Sequence, residues 1–502
     1  MAVATRAEVL TCKHFIGGKW VDSADGKTFE SINPATGETL AVCAAGGPRE
    51  VNQAVESAVR AFDKWRLTPA PHRGEILFRV AETLIARKEE LAVLMAREMG
   101  KVLKETRGDV QEAIDMTYYM AGEGRRLFGH TVPAELPNKF AMSVRDPVGV
   151  CALITPWNFP MAIPSWKMMP ALIAGNTVVF KPASDTPILA WKLIQILQES
   201  GLPEGVVNFV MGSGSGVGAP LAEHGDVKVV SFTGSTSVGA ALSDACSRPG
   251  KKISLELGGK NAILVMDDAD VDLAIEGIVW SAFGTSGQRC TAASRVIVDN
   301  TVLDEVTEKV VARAKSLRLG DPTDPKTEMG PLVNYDRIGA VHEYTEIGKE
   351  EGAELLCGGE AARDGDLGRG AFYKPTVFGN VKPHMRIAQE EIFGPTTAII
   401  GVDGLDEAVR VNNETAFGLS SSIYTRDVNR AFRAVRDITT GIVYVNAGTI
   451  GAEVHLPFGG TRGTGNGHRE AGQAAFETFT EWKSIYVDFS GKLQRAQIDI
   501  EE

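Results

Sequence analysis

Long apolar runs and a leader-like N-terminus are absent from this sequence of 502 residues. The longest apolar stretches, such as 148–154, fall well short of the roughly 20 residues that span a bilayer. The first ten residues carry a single arginine and lack the apolar core of roughly 7–15 residues that a secretory signal needs. These absences argue against a membrane-spanning or secreted protein and predict a cytoplasmic one.

Closely spaced cysteines and blocks of like charge are also missing. No CxxC pair occurs, so neither a disulfide framework nor a metal site is predicted, and the six cysteines are interpreted as reduced thiols. The 52 Lys and Arg residues against 64 Asp and Glu residues give a net charge of -12. Without a clustered basic face, nucleic acids and anionic membrane surfaces are not expected as partners.

What the chain does have is hydrophobic sequence, 44% of its residues, which suffices for two or three domains. Residues 46–125 have helical periodicity; in 89–100, for example, the leucines and methionines fall on one helix face. From residue 148, short β-rich runs alternate with helical stretches such as 187–199, which is typical of a parallel sheet covered by helices. A second alternating region predicts a second α/β domain. The strand candidates are 148–154, 177–180, 206–210, 227–232, 262–265, 295–298, 397–402 and 441–445.

Two glycine-rich turns follow predicted strands, at the place where α/β sheets bind ligands on helix N-termini. The segment Gly212–Gly218 resembles a dinucleotide fingerprint, but Val217 stands where the third glycine belongs, so a flexible loop is the competing interpretation. The segment Phe232–Gly239 is the better phosphate candidate, because a strand ends there and hydroxyl residues open a helix.

A lysine and a carboxylate stand at two further strand ends. Lys181 and Ser184 follow the candidate 177–180 and would face a ligand, although Lys181 could equally be a solvated charge. Glu256 lies in an apolar segment ahead of two glycines. Burial there would raise its pKa and suit it to act as a general base near neutral pH, with a salt bridge to a lysine as the alternative.

Cys290 is the only cysteine that opens a predicted helix, and Arg289 precedes it. That setting would lower the thiol pKa and favour the thiolate, which attacks carbonyl carbons. Asn158 follows the first strand candidate in a loop stiffened by Pro156 and Pro160. Its amide suits an oxyanion donor, and a turn cap is the alternative.

In their order along nearly the whole chain, these segments resemble the motif set of the aldehyde dehydrogenase superfamily. The interval of 34 residues between Glu256 and Cys290 also matches the family's spacing of general base and nucleophile. The matching motifs are Pro156–Pro160, Lys181-Pro-Ala, Phe232–Ser235, Glu256–Lys260, Gly287–Cys290, Glu391–Pro395 and Pro457–Gly460.

The resemblance implies NAD(P)-dependent oxidation of an aldehyde to its carboxylic acid. Cys290 would form a thiohemiacetal, whose oxyanion the Asn158 amide and the Cys290 backbone N–H would hold. Hydride transfer to the cofactor would leave a thioester, and Glu256 would activate the water that hydrolyses it. Lys167 and Glu481 match a secondary pair implicated in proton relay, and no metal is implied.

The cofactor site follows from the same resemblance, with Thr233–Ser235 near the pyrophosphate and with Glu391 and Phe393 at the nicotinamide ribose and ring. Ser184 stands where members restricted to NAD often carry Glu, which repels a 2′-phosphate. A serine beside Lys181 removes that repulsion, so NADP is expected to be accepted as well as NAD. The expected cofactor residues are Ile154, Thr155, Pro156, Trp157, Lys181, Ser184, Thr233, Gly234, Ser235, Val238, Leu257, Glu391 and Phe393.

The sequence says less about the substrate than about the reaction. Residues 451–457 are expected to form the loop at the entrance of the substrate site. Arg289 and His455 could bind the distal carboxylate of a semialdehyde, but Arg289 could instead form a structural salt bridge. A broad range of aliphatic or aromatic aldehydes is an equal alternative. Thr291 and Phe458 complete the expected substrate residues.

Three other functions are alternatives to the oxidation of an aldehyde to its acid. A dehydrogenase that transfers the acyl group to coenzyme A usually lacks the carboxylate found at Glu256. A non-catalytic protein on the same fold would need none of Cys290, Glu256 and Asn158, and an esterase would act without nucleotide.

The implied fold has a Rossmann-like cofactor domain, a catalytic α/β domain and a small β element that pairs subunits. Pairing of strands between subunits would give a homodimer or homotetramer. The expected boundaries are 1–125 and 146–257 for the cofactor domain, 258–465 for the catalytic domain, and 126–145 and 475–502 for the oligomerisation element.

Overall fold

The computed structural model describes residues 9–247 and 250–501. Residues 1–8, on which the expectation about a secretory signal rests, lie outside these ranges, as does the last residue of the expected oligomerisation element, Glu502. Within the ranges, every helix is too short or too polar to serve as a bilayer span.

Nine elements form the N-terminal part, and the predicted helical character of 46–125 is confirmed. In the third helix Leu91, Met95 and Met99 are fully buried, as their spacing predicts. The five short strands that precede the helices were not predicted. The elements are β1 (Leu10–Cys12), β2 (His14–Ile16), β3 (Lys19–Val21), β4 (Thr28–Ile32), β5 (Thr39–Ala44), α1 (Pro48–Leu67), α2 (Ala70–Ala86), α3 (Lys88–Met99) and α4 (Leu103–Glu123).

The next part builds a seven-stranded sheet in the order β12-β11-β8-β9-β10-β2-β3, in which β8 to β12 run parallel. Each strand predicted between 148 and 232 is present. The elements are β6 (His130–Val132), β7 (Lys139–Pro147), β8 (Val150–Ile154), α5 (Ala162–Ala174), β9 (Thr177–Lys181), α6 (Pro187–Glu199), β10 (Val207–Phe209), α7 (Ala219–Glu223), β11 (Val227–Thr233), α8 (Thr236–Ser247) and β12 (Lys252–Glu256).

A second seven-stranded sheet has the order β15-β16-β17-β14-β13-β19-β20, and only its edge strand β15 runs antiparallel to its neighbour. The predicted pair of α/β sheets is therefore confirmed. The elements are β13 (Asn261–Val265), α9 (Val271–Phe283), β14 (Ala293–Asp299), α10 (Leu303–Ser316), α11 (Asp336–Glu350), β15 (Glu354–Cys357), β16 (Thr376–Gly379), α12 (Arg386–Gln389), β17 (Thr396–Val402), α13 (Gly404–Asn413), β18 (Phe417–Gly418), β19 (Ser420–Tyr424), α14 (Val428–Asp437) and β20 (Ile442–Val445).

The chain ends with β21 (Thr461–Arg462), α15 (Phe476–Phe479) and β22 (Thr480–Asp488). Strand β22 pairs antiparallel with β7 over nine residues, from Thr480 opposite Pro147 to Asp488 opposite Lys139. With β6 they form a small sheet in the order β22-β7-β6, separate from the two large sheets.

Strand register in the first large sheet decides where a site can form. Ile154 lies opposite Lys181 on β9, and Thr233 lies opposite Glu256 on β12. Phe232 pairs with both Ile154 and Leu255, so the row that starts at Lys181 ends at Leu255, and Thr233 and Glu256 stand one residue beyond it. The carboxyl ends of four parallel strands thus meet at one edge, the usual position of a ligand crevice in such sheets.

Candidate active site

A cavity of about 270 Å³ lies between this sheet edge and the second large sheet. Glu256 and Cys290, predicted from separate segments, both line it. Five other predicted residues also line it, namely Thr233, Leu257, Arg289, Thr291 and Phe458. The cavity therefore brings together the predicted base, the predicted nucleophile and most of the predicted substrate residues.

Cys290 does not open a helix. It stands in a turn between a 3₁₀ segment, Gly284–Gly287, and strand β14. Thr285 and Ser286 have φ angles of 53° and 56°, a left-handed conformation that non-glycine residues rarely adopt. Gly287 continues it at 69°, and a Cβ there would lie 2.0 Å from the Gly394 carbonyl oxygen. This tight turn, which the sequence analysis took for a helix start, aims Cys290 at the cavity.

The thiol of Cys290 is also less acidic than predicted. Burial, followed by the nearby carboxylates of Glu391 and Glu256, raises its pKa to about 12. The backbone N–H groups of Thr291 and Cys290 act in the opposite direction but do not prevail. The prediction of a lowered pKa is therefore wrong, because it relied on a helix N-terminus that is absent here and on Arg289, which is paired elsewhere.

Glu256 ends strand β12 and is almost fully buried, with 3% of its surface exposed. Its Oε1 has no hydrogen-bond partner among the described residues. Burial and then the charge of Glu470 raise its pKa well above the usual range, while Lys167 and Arg469 oppose the shift. The predicted elevation is confirmed. Gly459 leaves the room for this carboxylate, since a Cβ there would lie 2.7 Å from Oε1.

The partner of Lys167 is Glu470. The Lys167 ammonium forms a salt bridge with the Glu470 carboxylate and donates a hydrogen bond to Ser231 Oγ at 3.0 Å. Glu481 instead lies exposed on β22, opposite Asp146. The predicted Lys167–Glu481 pair is therefore wrong, because β22 is exposed along nearly all of its length after Thr480 and Lys167 is buried beside Glu470.

Glu470 is not among the residues predicted from sequence, and it enters the site through pairing between separate segments. Phe458 and Glu470 exchange two backbone hydrogen bonds, of 2.6 and 2.7 Å. This bridge folds the segment after Pro457–Gly460 back on itself and returns Glu470 to the cavity wall. A loop closure of this kind has no local sequence signal.

Asn158 joins its own loop to the segment before Cys290. It is 3% exposed, and its Nδ2 donates to the carbonyl oxygen of Gln288 at 3.1 Å. An amide nitrogen has two hydrogens, so one stays available to a ligand. Asn158 thus spans two segments rather than capping a local turn.

At the end of β9, Lys181 and Ser184 have backbone partners. Lys181 is buried, which lowers its pKa to about 8, and its Nζ donates to the Pro182 carbonyl at 2.8 Å. The interpretation of Lys181 as a solvated charge is therefore wrong. Ser184 Oγ donates to the Gly212 carbonyl at 3.2 Å. The segment Gly212–Gly218 is not a loose loop, since its last five residues form a π-helical turn that leads into α7.

The loops after β8 and β11 hold further predicted cofactor residues. Thr155 donates its backbone N–H to the Lys181 carbonyl at 3.2 Å, and Pro156 and Trp157 follow. The backbone N–H of Gly234 donates to the Glu256 carbonyl at 3.0 Å. Ser235 accepts from the Gly239 N–H at 3.0 Å as α8 begins, and Val238 in its first turn is 47% exposed. A helix N-terminus therefore faces the sheet edge, as the Phe232–Gly239 motif predicts.

Glu391 and Phe393 approach from the second large sheet. Glu391 Oε1 accepts the backbone N–H of Gly259 at 2.8 Å, and burial raises the pKa of this carboxyl to about 7. A Cβ on Gly258 would lie 2.4 Å from Glu391 Oε2, so a larger residue there would displace this carboxylate. The ring of Phe393 meets Trp157 edge to face at 5.4 Å. The two halves of the predicted cofactor site are therefore in contact.

Arg289 and His455, which were predicted to bind a substrate carboxylate, both lie next to carboxylates of the chain itself. Arg289 Nη2 pairs with Glu105 Oε1 at 3.0 Å, and its guanidinium lies 5.5 Å from the ring of Phe159. His455 is exposed and lies 3.5 Å from Glu453 Oε2, away from the cavity wall. The structure thus favours the salt-bridge interpretation of Arg289.

Helix α4 contributes cavity residues that the sequence analysis missed. Glu105, Asp109 and Glu112 recur at spacings of four and three, which places them on one helix face. That spacing was a usable signal, but a stripe of acidic residues is more typical of a solvated face. The remaining unpredicted wall residues include Phe159, Trp166 and Trp280.

Comparison with known proteins agrees with this geometry. Residues 20–485 match the model of the aldehyde dehydrogenase family. The chain is 41% identical to the alpha-ketoglutaric semialdehyde dehydrogenase of Bacillus subtilis, over 97% of this chain and 100% of that protein. It is 43% identical to the alpha-ketoglutarate semialdehyde dehydrogenase of Haloferax volcanii, over 95% and 99% of the two chains. A crystal structure of betaine aldehyde dehydrogenase from Staphylococcus aureus with NAD+ superposes with a TM-score of 0.94 at 32% identity, covering 96% of both chains.

Proposed function

The chain belongs to the aldehyde dehydrogenase family and is an NAD(P)-dependent aldehyde dehydrogenase, and from this premise we propose how its residues perform the reaction. Cys290 Sγ attacks the aldehyde carbon, and Glu256, the buried base in the same cavity, accepts the thiol proton. The free Nδ2 hydrogen of Asn158 and the backbone N–H of Cys290 bind the resulting oxyanion.

In the second half of the reaction Glu256 acts as the base for hydrolysis. After hydride leaves, a thioester remains on Cys290, and Glu256 takes a proton from the water that attacks it. Glu470 and Lys167 lie next to Glu256 and hold opposite charges, so they provide a buried path for the proton to leave. The product is the carboxylic acid, and Cys290 is restored.

The observation that carries this proposal is the buried carboxylate of Glu256, unpartnered among the described side chains, in the cavity that holds Cys290. Such a group is costly unless it serves a function, and its raised pKa makes the ionised carboxylate a stronger base than an exposed glutamate. An acyl-transferring enzyme would have no need of it.

The sheet edge fits a nicotinamide dinucleotide, which when bound supplies the hydride acceptor. Thr233–Ser235 and the start of α8 would bind the pyrophosphate, and Glu391 and Phe393 the nicotinamide ribose and ring. Two buried groups support this fit: Thr233 Oγ1 and Lys260 Nζ lack hydrogen-bond partners within the described ranges. Buried polar atoms without a partner are uncommon, and two of them at one sheet edge are typical of a ligand site.

NADP is accepted as well as NAD in this proposal. Ser184 lines a surface cavity with Ser213 and Arg49. In the same wall Lys27 pairs with Asp25 at 2.9 Å, and the Glu50 carboxylate accepts two backbone N–H groups. Hydroxyl and cationic groups in one cavity suit the 2′-phosphate of NADP, which a glutamate at position 184 would repel.

The proposed substrate is a semialdehyde, since two relatives at 41% and 43% identity are named for alpha-ketoglutarate semialdehyde. One observation favours the second candidate, an uncharged aliphatic or aromatic aldehyde. Arg289 is already paired with Glu105, and Lys101, behind the wall, with Asp109. Lys104, the other cation of the wall, lies 5.8 Å from the ring centre of Trp280, and Phe159, Trp166 and Phe458 add three more aromatic rings.

The function is tested by a spectrophotometric panel that follows the reduced cofactor. NAD and NADP are crossed with acetaldehyde, benzaldehyde, succinic semialdehyde and 2-oxoglutaric semialdehyde, with Cys290→Ala as the control. Highest activity on the semialdehydes supports the first candidate, and highest activity on the neutral aldehydes supports the second. Activity that survives in Cys290→Ala would overturn the mechanism.

A homodimer or homotetramer in the cytoplasm completes the proposal. Strand β22 forms an edge of the small sheet and carries exposed apolar side chains, including Trp482, Tyr486 and Val487. Strand β20 is likewise an edge of the second large sheet, so a β22 from another subunit could extend it. The six free cysteines suit a reducing compartment. Light scattering after size-exclusion chromatography tests the assembly, and a monomer would contradict it.

A further inference from the structure

One oxygen atom of Glu105 holds the segment that leads to Cys290. Glu105 Oε1 accepts the backbone N–H of Thr285 at 2.8 Å and pairs with Arg289 Nη2 at 3.0 Å. Arg289 Nε donates a hydrogen bond to Thr285 Oγ1 at 2.8 Å, so Glu105, Thr285 and Arg289 form a closed hydrogen-bond network. The Glu105 side chain is only 2% exposed, so water competes little for these bonds.

The segment needs such support because its backbone is strained. Thr285 and Ser286 are both left-handed, a conformation that persists in non-glycine residues only where surrounding groups impose it. Ser286 Oγ donates to the Gly330 carbonyl at 2.8 Å, and Gln288 Oε1 accepts from the Val333 N–H at 3.0 Å. Glu105 supplies the carboxyl group of this set, and its bonds to a backbone N–H and to the Arg289 guanidinium are of the stronger kind.

One turn further along α4, Asp109 supports the segment that contains Asn158. Asp109 Oδ1 accepts the backbone N–H of Ala162, the first residue of α5, at 2.8 Å. Asp109 Oδ2 pairs with Lys101 at 2.8 Å, and the Lys101 ammonium lies 3.4 Å from the ring centre of Phe159, next to Asn158. Helix α4 therefore contacts both segments that supply the groups around the reacting carbon.

We propose that Glu105 is a positioning residue for Cys290, and that α4 is the common support that sets Cys290 against Asn158. The inference rests on the roles proposed above for Cys290 and Asn158. It also gives Arg289 a function other than substrate binding, since its guanidinium completes the network that holds the nucleophile segment.

The test compares Glu105→Ala and Glu105→Gln with a matched control, Asp115→Ala, an exposed aspartate on the solvent face of the same helix. The measurements are kcat, KM, the affinity for NAD by protein fluorescence, and the rate at which iodoacetamide alkylates Cys290. For Glu105→Ala we expect kcat to fall at least tenfold and the alkylation rate to change at least threefold. The NAD affinity should stay within twofold. Glu105→Gln keeps an acceptor for the Thr285 N–H and should recover at least half of the lost kcat on a logarithmic scale.

Equal kcat and equal alkylation rates in Glu105→Ala and Asp115→Ala would overturn the inference. If Glu105→Ala fails to fold, Glu105→Asp replaces it, because the carboxylate is kept and its reach is shortened by one methylene. The same losses are expected there, and wild-type values would overturn the inference. Cys290→Ala is run in parallel: its activity decides the proposed role of Cys290 separately, and it supplies the alkylation background of the other thiols.

Discussion

Lys167 and Glu470 form a salt bridge directly behind Glu256, and both side chains are almost completely excluded from solvent. The pair acts on Glu256 with opposite signs, since the Glu470 charge raises the pKa of the Glu256 carboxyl and the Lys167 charge lowers it. The pKa of Glu256 is therefore set in part by two residues that belong to none of the predicted cofactor-binding segments.

Replacing Glu470 by Gln removes the negative charge and leaves Lys167 buried without its partner. Breaking a buried pair in this way costs about 3–5 kcal/mol, so the melting temperature should fall. The pKa of Glu256 should also fall, because one cause of its elevation is lost and the opposing charge remains. Activity requires the ionised base and is lost as pH decreases through this pKa, so the acidic limb of the kcat/KM profile should move to lower pH.

The matched control for this prediction is Glu481→Gln. Glu481 is exposed on β22, and its substitution should leave both the melting temperature and the pH profile unchanged. An acidic limb that moves in Glu481→Gln and stays in place in Glu470→Gln would restore the pair predicted from sequence and contradict the assignment made from the structure.

Glu256→Gln tests both proton transfers proposed for Glu256. An amide cannot take a proton from water, so hydrolysis of the thioester should slow by about 10²–10⁴-fold. If Glu256 is needed mainly for hydrolysis, a stopped-flow trace should keep a burst of reduced cofactor close to one equivalent per subunit, followed by very slow turnover. Loss of the burst together with turnover would show that accepting the thiol proton is its indispensable role, and unchanged turnover would exclude Glu256 as the base.

Three residues of the site show which of its features are predictable from sequence. Glu256 was placed correctly, including the direction of its pKa shift, because an apolar strand followed by two glycines is a local pattern that already implies burial. For Cys290 the position was found but the environment was wrong. Its left-handed turn depends on Glu105 and on Gly394, which are distant in sequence.

Glu470 shows the limit more clearly. Its place in the cavity depends on the bridge to Phe458 and on Lys167, 303 residues away. Strands and helices follow from periodicity within ten residues or so, and those predicted from residue 148 onward were found with small shifts of their ends. Pairs formed between distant segments have no comparable local pattern. The strands before residue 46 pair largely with their neighbours in sequence, and they were missed because most of them have only three residues.

The raised pKa of Cys290 predicts slow and strongly pH-dependent alkylation of the enzyme without cofactor. Below a pKa of about 12 the thiolate fraction rises about tenfold for each pH unit. The rate of reaction with iodoacetamide at Cys290, followed by mass spectrometry, should therefore still be rising at pH 10. A plateau at or below pH 8 would show a thiol of low pKa, as the helix interpretation required. Cys290→Ala supplies the background from the other cysteines.

Ser184→Glu tests the basis of cofactor choice. A carboxylate at this position would lie in the cavity proposed for the 2′-phosphate, and like charges in contact cost enough to reduce kcat/KM for NADP by about 100-fold. The value for NAD should change by less than about threefold, because its ribose hydroxyls can donate to the new carboxylate. Ser184→Ala is the matched control and should lose little with either cofactor. A wild-type enzyme that already prefers NAD by tenfold or more would contradict the role given to Ser184.

Arg289→Met tests whether Arg289 binds the substrate or positions the nucleophile. Methionine removes the charge but retains much of the length and the apolar contacts of the arginine side chain. Arg289 pairs with Glu105 and Thr285, so loss of the guanidinium should lower kcat for succinic semialdehyde and for benzaldehyde by similar factors. If Arg289 also exchanges Glu105 for the carboxylate of a substrate, KM for the semialdehyde alone should rise, by roughly 10–100-fold for a charged hydrogen bond worth about 1.5–3 kcal/mol. A parallel fall in kcat with unchanged KM for both substrates would assign Arg289 to positioning only. In that case the group that recognises a semialdehyde carboxylate must be sought among the other residues of the cavity wall, with Lys104 as the next cation to replace.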